Sequence, residues 1–257
     1  MDIFLPTPAS LEKLKAIDSP VIVEIAGRDS VAAMIAYAAD HPSPTFIPTI
    51  VSTGTEYGDA GAPLDAIEYA KTKIPSATFT EPIQLFSPNL WRALNGRYGS
   101  ELSRRYPGWS PCASCHLYVH LMRSPLAFAL GVPILTGERD SHDDRFKLSQ
   151  TPQMINAWIT LFAEKGIELL EPIQHLTDSA EIERLVGRGW EEGARQLQCV
   201  HSGSFTDVDG HFNYRASQWD IYLRNFAIPA ARAVLDAMRA GELTTDWVAL
   251  VGAVLRA

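Results

Sequence analysis

The sequence predicts an α/β protein: a parallel five-stranded sheet flanked by helices, with a helical C-terminal extension. Two observations carry this expectation. Apolar runs rich in β-branched residues, each closed by a polar or glycine-rich turn, are followed by helix-forming segments twice within the first 75 residues. Two more strand candidates then alternate with helices up to residue 173, after which the patterns are helical. Alternation of this kind builds βα units, and βα units in succession imply a parallel sheet.

Each element can be justified in order. Residues 10–17 are amphipathic, and PVIVEIAG (20–27) reads as a buried strand ended by glycine. SVAAMIAYAA (30–39) is helix-forming. The unit repeats as the strand TFIPTIVS (45–52), the turn TGTEYGDAGAP (53–63), the helix LDAIEYAKTKI (64–74) and a short extended ATFTEPI (77–83). An aromatic, arginine-rich insertion covers 88–109, helical and then irregular around PGWSPC. A helix is expected over 115–130, interrupted at Ser124-Pro125. GVPILTGE (131–138) is the fourth strand, QMINAWITLFAEKG (153–166) a helix and IELLEPI (167–173) the fifth strand. Helices over 179–190 and 218–242 follow, which places a soft boundary near residue 175 between an α/β domain, 1–175, and a mainly helical region, 176–257.

Composition narrows the class. With 46% hydrophobic and 20% charged residues, the chain of 257 residues is that of an ordinary globular protein. It contains no run of eighteen uncharged apolar residues, and its first twenty lack the basic-then-apolar order of a secretory signal, so a cytoplasmic protein without a membrane partner is expected. A net charge of -8 provides no global footprint for a polyanion. One basic cluster stands out, Arg92, Arg97, Arg104 and Arg105, interleaved with Trp91, Tyr98 and Tyr106. It reads either as a solvated helix face, the slightly favoured reading, or as a patch for substrate phosphate.

Two features carry chemistry. Ala26, Gly27, Arg28, Asp29 and Ser30 join the first strand to its helix, where backbone amides and the positive end of the helix dipole can hold an anion. Gly27 permits close approach, Ser30 caps the helix or meets a phosphate, and Asp29 orients the loop or helps hold Mg²⁺. A plain capped strand-to-helix turn is the alternative. Further turns at the strand ends are Ser52 to Glu56, with Thr53 and Gly54, and Thr136 to Asp144, with Gly137, Glu138, Arg139, Asp143 and Asp144. Open parallel sheets gather ligands there. Arg139 suits phosphate, and Glu138, Asp143 or Asp144 suits Mg²⁺, against the alternative of a solvated charged loop. The second feature is Cys112-x2-Cys115 with a single distant Cys199, the whole cysteine content of the chain. Thiolates two apart in a turn can both face one soft metal ion.

The stretch from Ile25 to Ser30 resembles the SGGxDS signature of the PP-loop ATP pyrophosphatases, with Ile25 and Ala26 standing where that family carries Ser and the first Gly. Together with the cysteine spacing, over about residues 20–200, the chain resembles the iron–sulfur sulfurtransferases of that superfamily, of the tRNA 2-thiocytidine synthetase type. The resemblance implies a HUP/Rossmann-like fold, ATP and Mg²⁺ as cofactors, and a [4Fe–4S] cluster on Cys112, Cys115 and Cys199. It implies adenylylation of a small-molecule or tRNA substrate, assisted by Asp29, Ser30 and Arg139, followed by sulfur transfer from the cluster or from a persulfide supplied by a sulfur donor. Three rivals stay open: a ligase or amidating enzyme with a structural Zn²⁺, in which His116, His120 or His201 completes a Cys3His site; a metal-free mechanism with Cys112 as nucleophile; and a nucleotide-binding module without turnover. The apolar C-terminal segment DWVALVGAVL offers a face through which two copies could pair as a homodimer.

Overall fold

A computed structural model describes residues 2–143, 147–189, 197–211 and 216–257. Its strands are β1 (Val21–Glu24), β2 (Thr45–Ser52), β3 (Glu56–Gly58), β4 (Thr78–Phe79), β5 (Ile83–Phe86), β6 (Ile134–Leu135), β7 (Leu169–Leu170) and β8 (Leu197–Cys199). The helices are α1 (Pro8–Lys15), α2 (Arg28–Asp40), α3 (Ala62–Lys73), α4 (Pro88–Trp91), α5 (Gly99–Arg105), α6 (Cys112–Leu130), α7 (Pro152–Glu164), α8 (Ser179–Val186), α9 (Ala216–Tyr222), α10 (Ile228–Arg239) and α11 (Trp247–Arg256).

The protein is α/β, as the alternation predicts. β4 and β5 both pair with β2, in register Thr45↔Thr78 and Thr49↔Ile83, so together they make one interrupted edge strand. The main sheet therefore has five positions, in the order β4/β5-β2-β1-β6-β7, and every pairing in it is parallel. β1 is fully buried, as a strand covered on both faces must be, and its run of valine and isoleucine reflects this. From β1 the chain goes to β2 on one side and later to β6 on the other. The strand order thus reverses between β1 and β6, and the loops at their carboxyl ends occupy the position where such sheets bind ligands.

Three local outcomes differ from the sequence expectation. Helix α6 runs unbroken through Pro125; it is 19 residues long, and Ser124 Oγ donates to the His120 carbonyl at 3.3 Å. The turn after β2 contains β3, which pairs antiparallel with β8 in a separate two-stranded ribbon (Glu56↔Cys199). The helix expected over 218–242 begins at Ala216 and is divided by a wider turn at Leu223–Ala227 into α9 and α10.

The apolar interior continues across residue 175. One cluster joins Phe4, Ile22 and Leu117 to Phe226, Leu235, Trp247 and Leu255, while α8 contributes Ile182 and Val186 to the core beneath α2. Trp247, Val251 and Leu255, the apolar side of α11, are buried within the chain's own core. Among the described residues, no helix is long and apolar enough to cross a membrane.

Candidate functional site

The turn after β1 is built as a cap. Ser30 Oγ accepts from the amides of Ala26 (3.2 Å) and Gly27 (3.1 Å) and donates to the Gly27 carbonyl (2.7 Å), so these two amides are engaged within the loop. Opposite lies Gly137, just beyond β6. A Cβ there would stand 2.6 Å from the Asp29 carbonyl carbon and oxygen, so only glycine lets the two loops meet. Asp29 is held by Arg28 Nε (3.0 Å), Arg139 Nε (3.3 Å) and the His142 ring (3.5 Å). Burial opposes its ionisation, but the His142 contact and the Arg139 and Arg28 charges outweigh it and keep Asp29 below the usual carboxylate range. Arg139 is wholly buried and donates through Nη1 to the Leu176 carbonyl, while its Nη2 has no hydrogen-bond partner among the described residues. Asp143 accepts from the Ser179 amide at the start of α8 (2.7 Å), and Asp144 lies outside the described residues.

The turn after β2 faces the thiols. Glu56 accepts from the Thr53 amide (2.6 Å), the Thr53 hydroxyl (2.8 Å) and the Gly54 amide (2.9 Å), so both residues marked for the nucleotide serve to close their own turn. Thr55 Oγ1 lies 3.2 Å from Cys199 Sγ. The ribbon thereby carries Cys199 toward the first turn of α6, where Cys112 Sγ donates to the His201 carbonyl (3.1 Å). Burial raises the Cys115 thiol to about 12, and the charges of Cys199 and Cys112 add to that effect; Cys112 is raised in the same way. Cys199 thus acts on both Cys112 and Cys115, burial being the larger effect on each. Trp91 and the His201 ring stack beside them at 6.0 Å. The arginine cluster preceding them is locally engaged: Arg104 and Arg105 both pair with Glu101, and Arg97 lies 5.4 Å from the Tyr98 ring.

A second polar centre lies behind the thiols on the same helix. His116 Nδ1 stands 2.5 Å and His120 Nε2 3.1 Å from the same oxygen, Glu138 Oε1. On its other side His120 Nδ1 stands 3.4 Å from Glu24 Oε2, to which Arg123 Nη1 is paired at 3.2 Å. Burial disfavours the His120 imidazolium, but Glu138 and then Glu24 outweigh it and raise the group to about 10. Glu24 is held down to about 2, burial being overcome by Arg123 and then His120. Burial and the Glu138 charge push Glu171, which accepts from Thr136, well above its ordinary value. Among the described residues, Glu138 Oε2 has no hydrogen-bond partner.

The uncharacterized protein MJ0009 of Methanocaldococcus jannaschii is 32% identical to this chain over 243 residues, which cover 90% of this chain and 88% of that protein. The chain belongs to the MJ0009 family. No family model matches it.

In this member of the MJ0009 family, Asp29, Ser30, Gly137 and Arg139 stand together where the β1 and β6 turns touch, and Cys199 approaches Cys112 and Cys115. The sequence expectation gave no role to Glu24, Arg123 or Glu171, and it named His142 only as part of the stretch from Thr136 to Asp144. Two of these left a trace: Glu24 interrupts an otherwise apolar strand, and Arg123 an apolar helix, and a charge placed where burial is certain needs a partner. His142 and Glu171 sit in polar loop ends, where nothing in the local pattern marks them out. Glu138, considered for Mg²⁺, is turned instead toward the two histidines.

Proposed function

We propose that this MJ0009-family protein is an ATP-dependent sulfurtransferase that activates a substrate oxygen at the carboxyl ends of β1 and β6 and holds a [4Fe–4S] cluster on Cys112, Cys115 and Cys199. The observation that carries the reading is the approach of Cys199 to Cys112 and Cys115, from two distant segments of the chain, close enough for its charge to act on both. Thiols raised by burial and by one another favour a metal centre over a free nucleophile, because a reactive cysteine needs a lowered pKa. A tetrahedral zinc site, at Zn–S of about 2.3 Å, brings its sulfurs to about 3.8 Å from one another. Among the described residues the three thiols do not come within 4.8 Å of one another as a group, which suits a cluster whose thiolates bind different irons.

The chain's own residues have separable tasks in this reading. Arg139, buried with Nη2 unpartnered, faces phosphate charge, and the first-turn amides of α2 beyond those held by Ser30 add the helix dipole. Asp29 orients Arg139, with Gly137 keeping the loops in contact. A cluster with three protein ligands supplies an open iron that can hold sulfide. The substrate is a small molecule or a tRNA; the acidic chain favours the first, the arginine-rich segment the second. The engagement of the Ala26 and Gly27 amides by Ser30 favours one second reading, a module that binds ATP without turning it over.

Anaerobic purification tests the proposal. The wild type is expected to be brown, with roughly four irons and four sulfides per chain, to lose both in Cys199→Ala, and to release pyrophosphate from ATP with its substrate. Colourless protein with one zinc overturns the cluster, and ATP binding without pyrophosphate across candidate substrates favours the second reading.

A further inference from the structure

We propose that the chain holds a divalent transition-metal ion, separate from the thiols, on His116, His120 and Glu138. The two histidines lie four apart on α6 and so share one face of the helix, the spacing that lets two imidazoles grip one ion. Glu138, from the loop after β6, brings a single oxygen to both, 2.5 Å from His116 Nδ1 and 3.1 Å from His120 Nε2. Two imidazoles and one carboxylate form a donor set for Zn²⁺, Fe²⁺ or Mn²⁺ with open positions left for water or substrate oxygen.

Two observations point to a ligand beyond the cluster of residues itself. His120 is completely buried between two carboxylates, Glu138 at 3.1 Å and Glu24 at 3.4 Å, and Glu138, 2% exposed, leaves Oε2 without a hydrogen-bond partner among the described residues. Buried polar atoms in this state are costly unless something meets them. The surroundings are also those of a metal-bound histidine: His120 Nδ1 faces Glu24 at 3.4 Å, and Glu24 is held by Arg123, giving the outer carboxylate that orients an imidazole toward its ion. The imidazole nitrogens presently flank the carboxylate oxygen. His116, at 27% side-chain exposure, gives the ion a route from solvent, and its ring has to turn away from the Glu138 contact, because the donor atoms of the three groups do not all lie within 4.8 Å of one another. By contrast, the exposed trio Asp207, Asp209 and His211 is closer set but has no buried, unpartnered group behind it.

Cobalt(II) alone is the probe, added to the full-length Cys112→Ser/Cys115→Ser variant so that the thiol site cannot report. One equivalent is expected to bind with visible d–d bands and no sulfur-to-cobalt charge-transfer band. Affinity should fall at least about tenfold in His116→Ala and in Glu138→Gln, and about 10–100-fold in Glu24→Gln, which removes only the outer partner. His116→Ala, at the partly exposed position, guards against misfolding of the buried variants, with circular dichroism as the control. Binding unchanged in His116→Ala and Glu138→Gln, absent altogether, or seen only when the thiols are present overturns the site. Iron, sulfide and pyrophosphate measurements on the wild type do not enter this result, so the sulfurtransferase reading can fail while the ion stands.

Discussion

Gly137 decides whether the loops after β1 and β6 can touch as they do. Any Cβ there meets the backbone of Asp29 and Ser30 at 2.6–2.8 Å, and backbone cannot step aside as a flexible side chain can. Gly137→Ala is expected to cost about 1–3 kcal/mol, as overpacking does, and to weaken ATP binding; chemical denaturation and calorimetric titration measure the two. Ser30→Ala removes the acceptor of two amides and should cost about 1 kcal/mol. If those amides are what the nucleotide wants, the same variant binds ATP no more weakly than the wild type. Asp29 makes a prediction in pH. Its carboxyl is depressed in the folded protein, so its contribution is present above the unfolded value near 3.8 and is lost as pH falls through the lower folded value. Asp29→Asn should therefore flatten the acid limb of the thermal midpoint against pH; an unchanged limb removes Asp29 from that account. The Gly27-Asp29-Ser30 text was legible because strand, turn and helix signals coincide there. The pairing of Asp29 with Arg139 and His142 was not, since these arrive from a loop more than a hundred residues away.

At the scale of elements, α6 and the β3–β8 ribbon share the work of gathering the thiols. The ribbon was invisible in the sequence: β8 is three residues long, too short for any periodicity, and β3 lies in a stretch whose glycines announce a turn. The unbroken α6 was misread for a related reason. Pro125 is a strong local signal against a helix, but every neighbour from Leu121 to Ala127 is buried, and packing of that extent outweighs one missing hydrogen bond. Val200→Pro removes the Val200 amide that donates to the Thr55 carbonyl at 3.0 Å, at a position that is otherwise exposed. It should lower stability by only about 0.5–1.5 kcal/mol, yet reduce iron retention sharply if the ribbon is what presents Cys199. Iron content equal to wild type would show that the third thiol is placed by other means.

For the whole molecule, the alternation of strands and helices made the sheet legible, whereas the way the C-terminal helices close over it was not, because amphipathic faces say that a helix packs but not on what. Phe4 and Trp247, at opposite ends of the chain, meet edge to face at 5.8 Å. Unfolding is therefore expected as one calorimetric transition, and a chain cut after residue 175 should be insoluble; two resolved transitions would contradict the shared core. The Thr55–Cys199 contact spans 144 residues of sequence, and its consequence concerns synthesis. While the ribosome is still making the second half, Cys112 and Cys115 are a dithiol without Cys199. Assembly of the proposed cluster would have to wait for that third thiol, and until then the pair is open to oxidation.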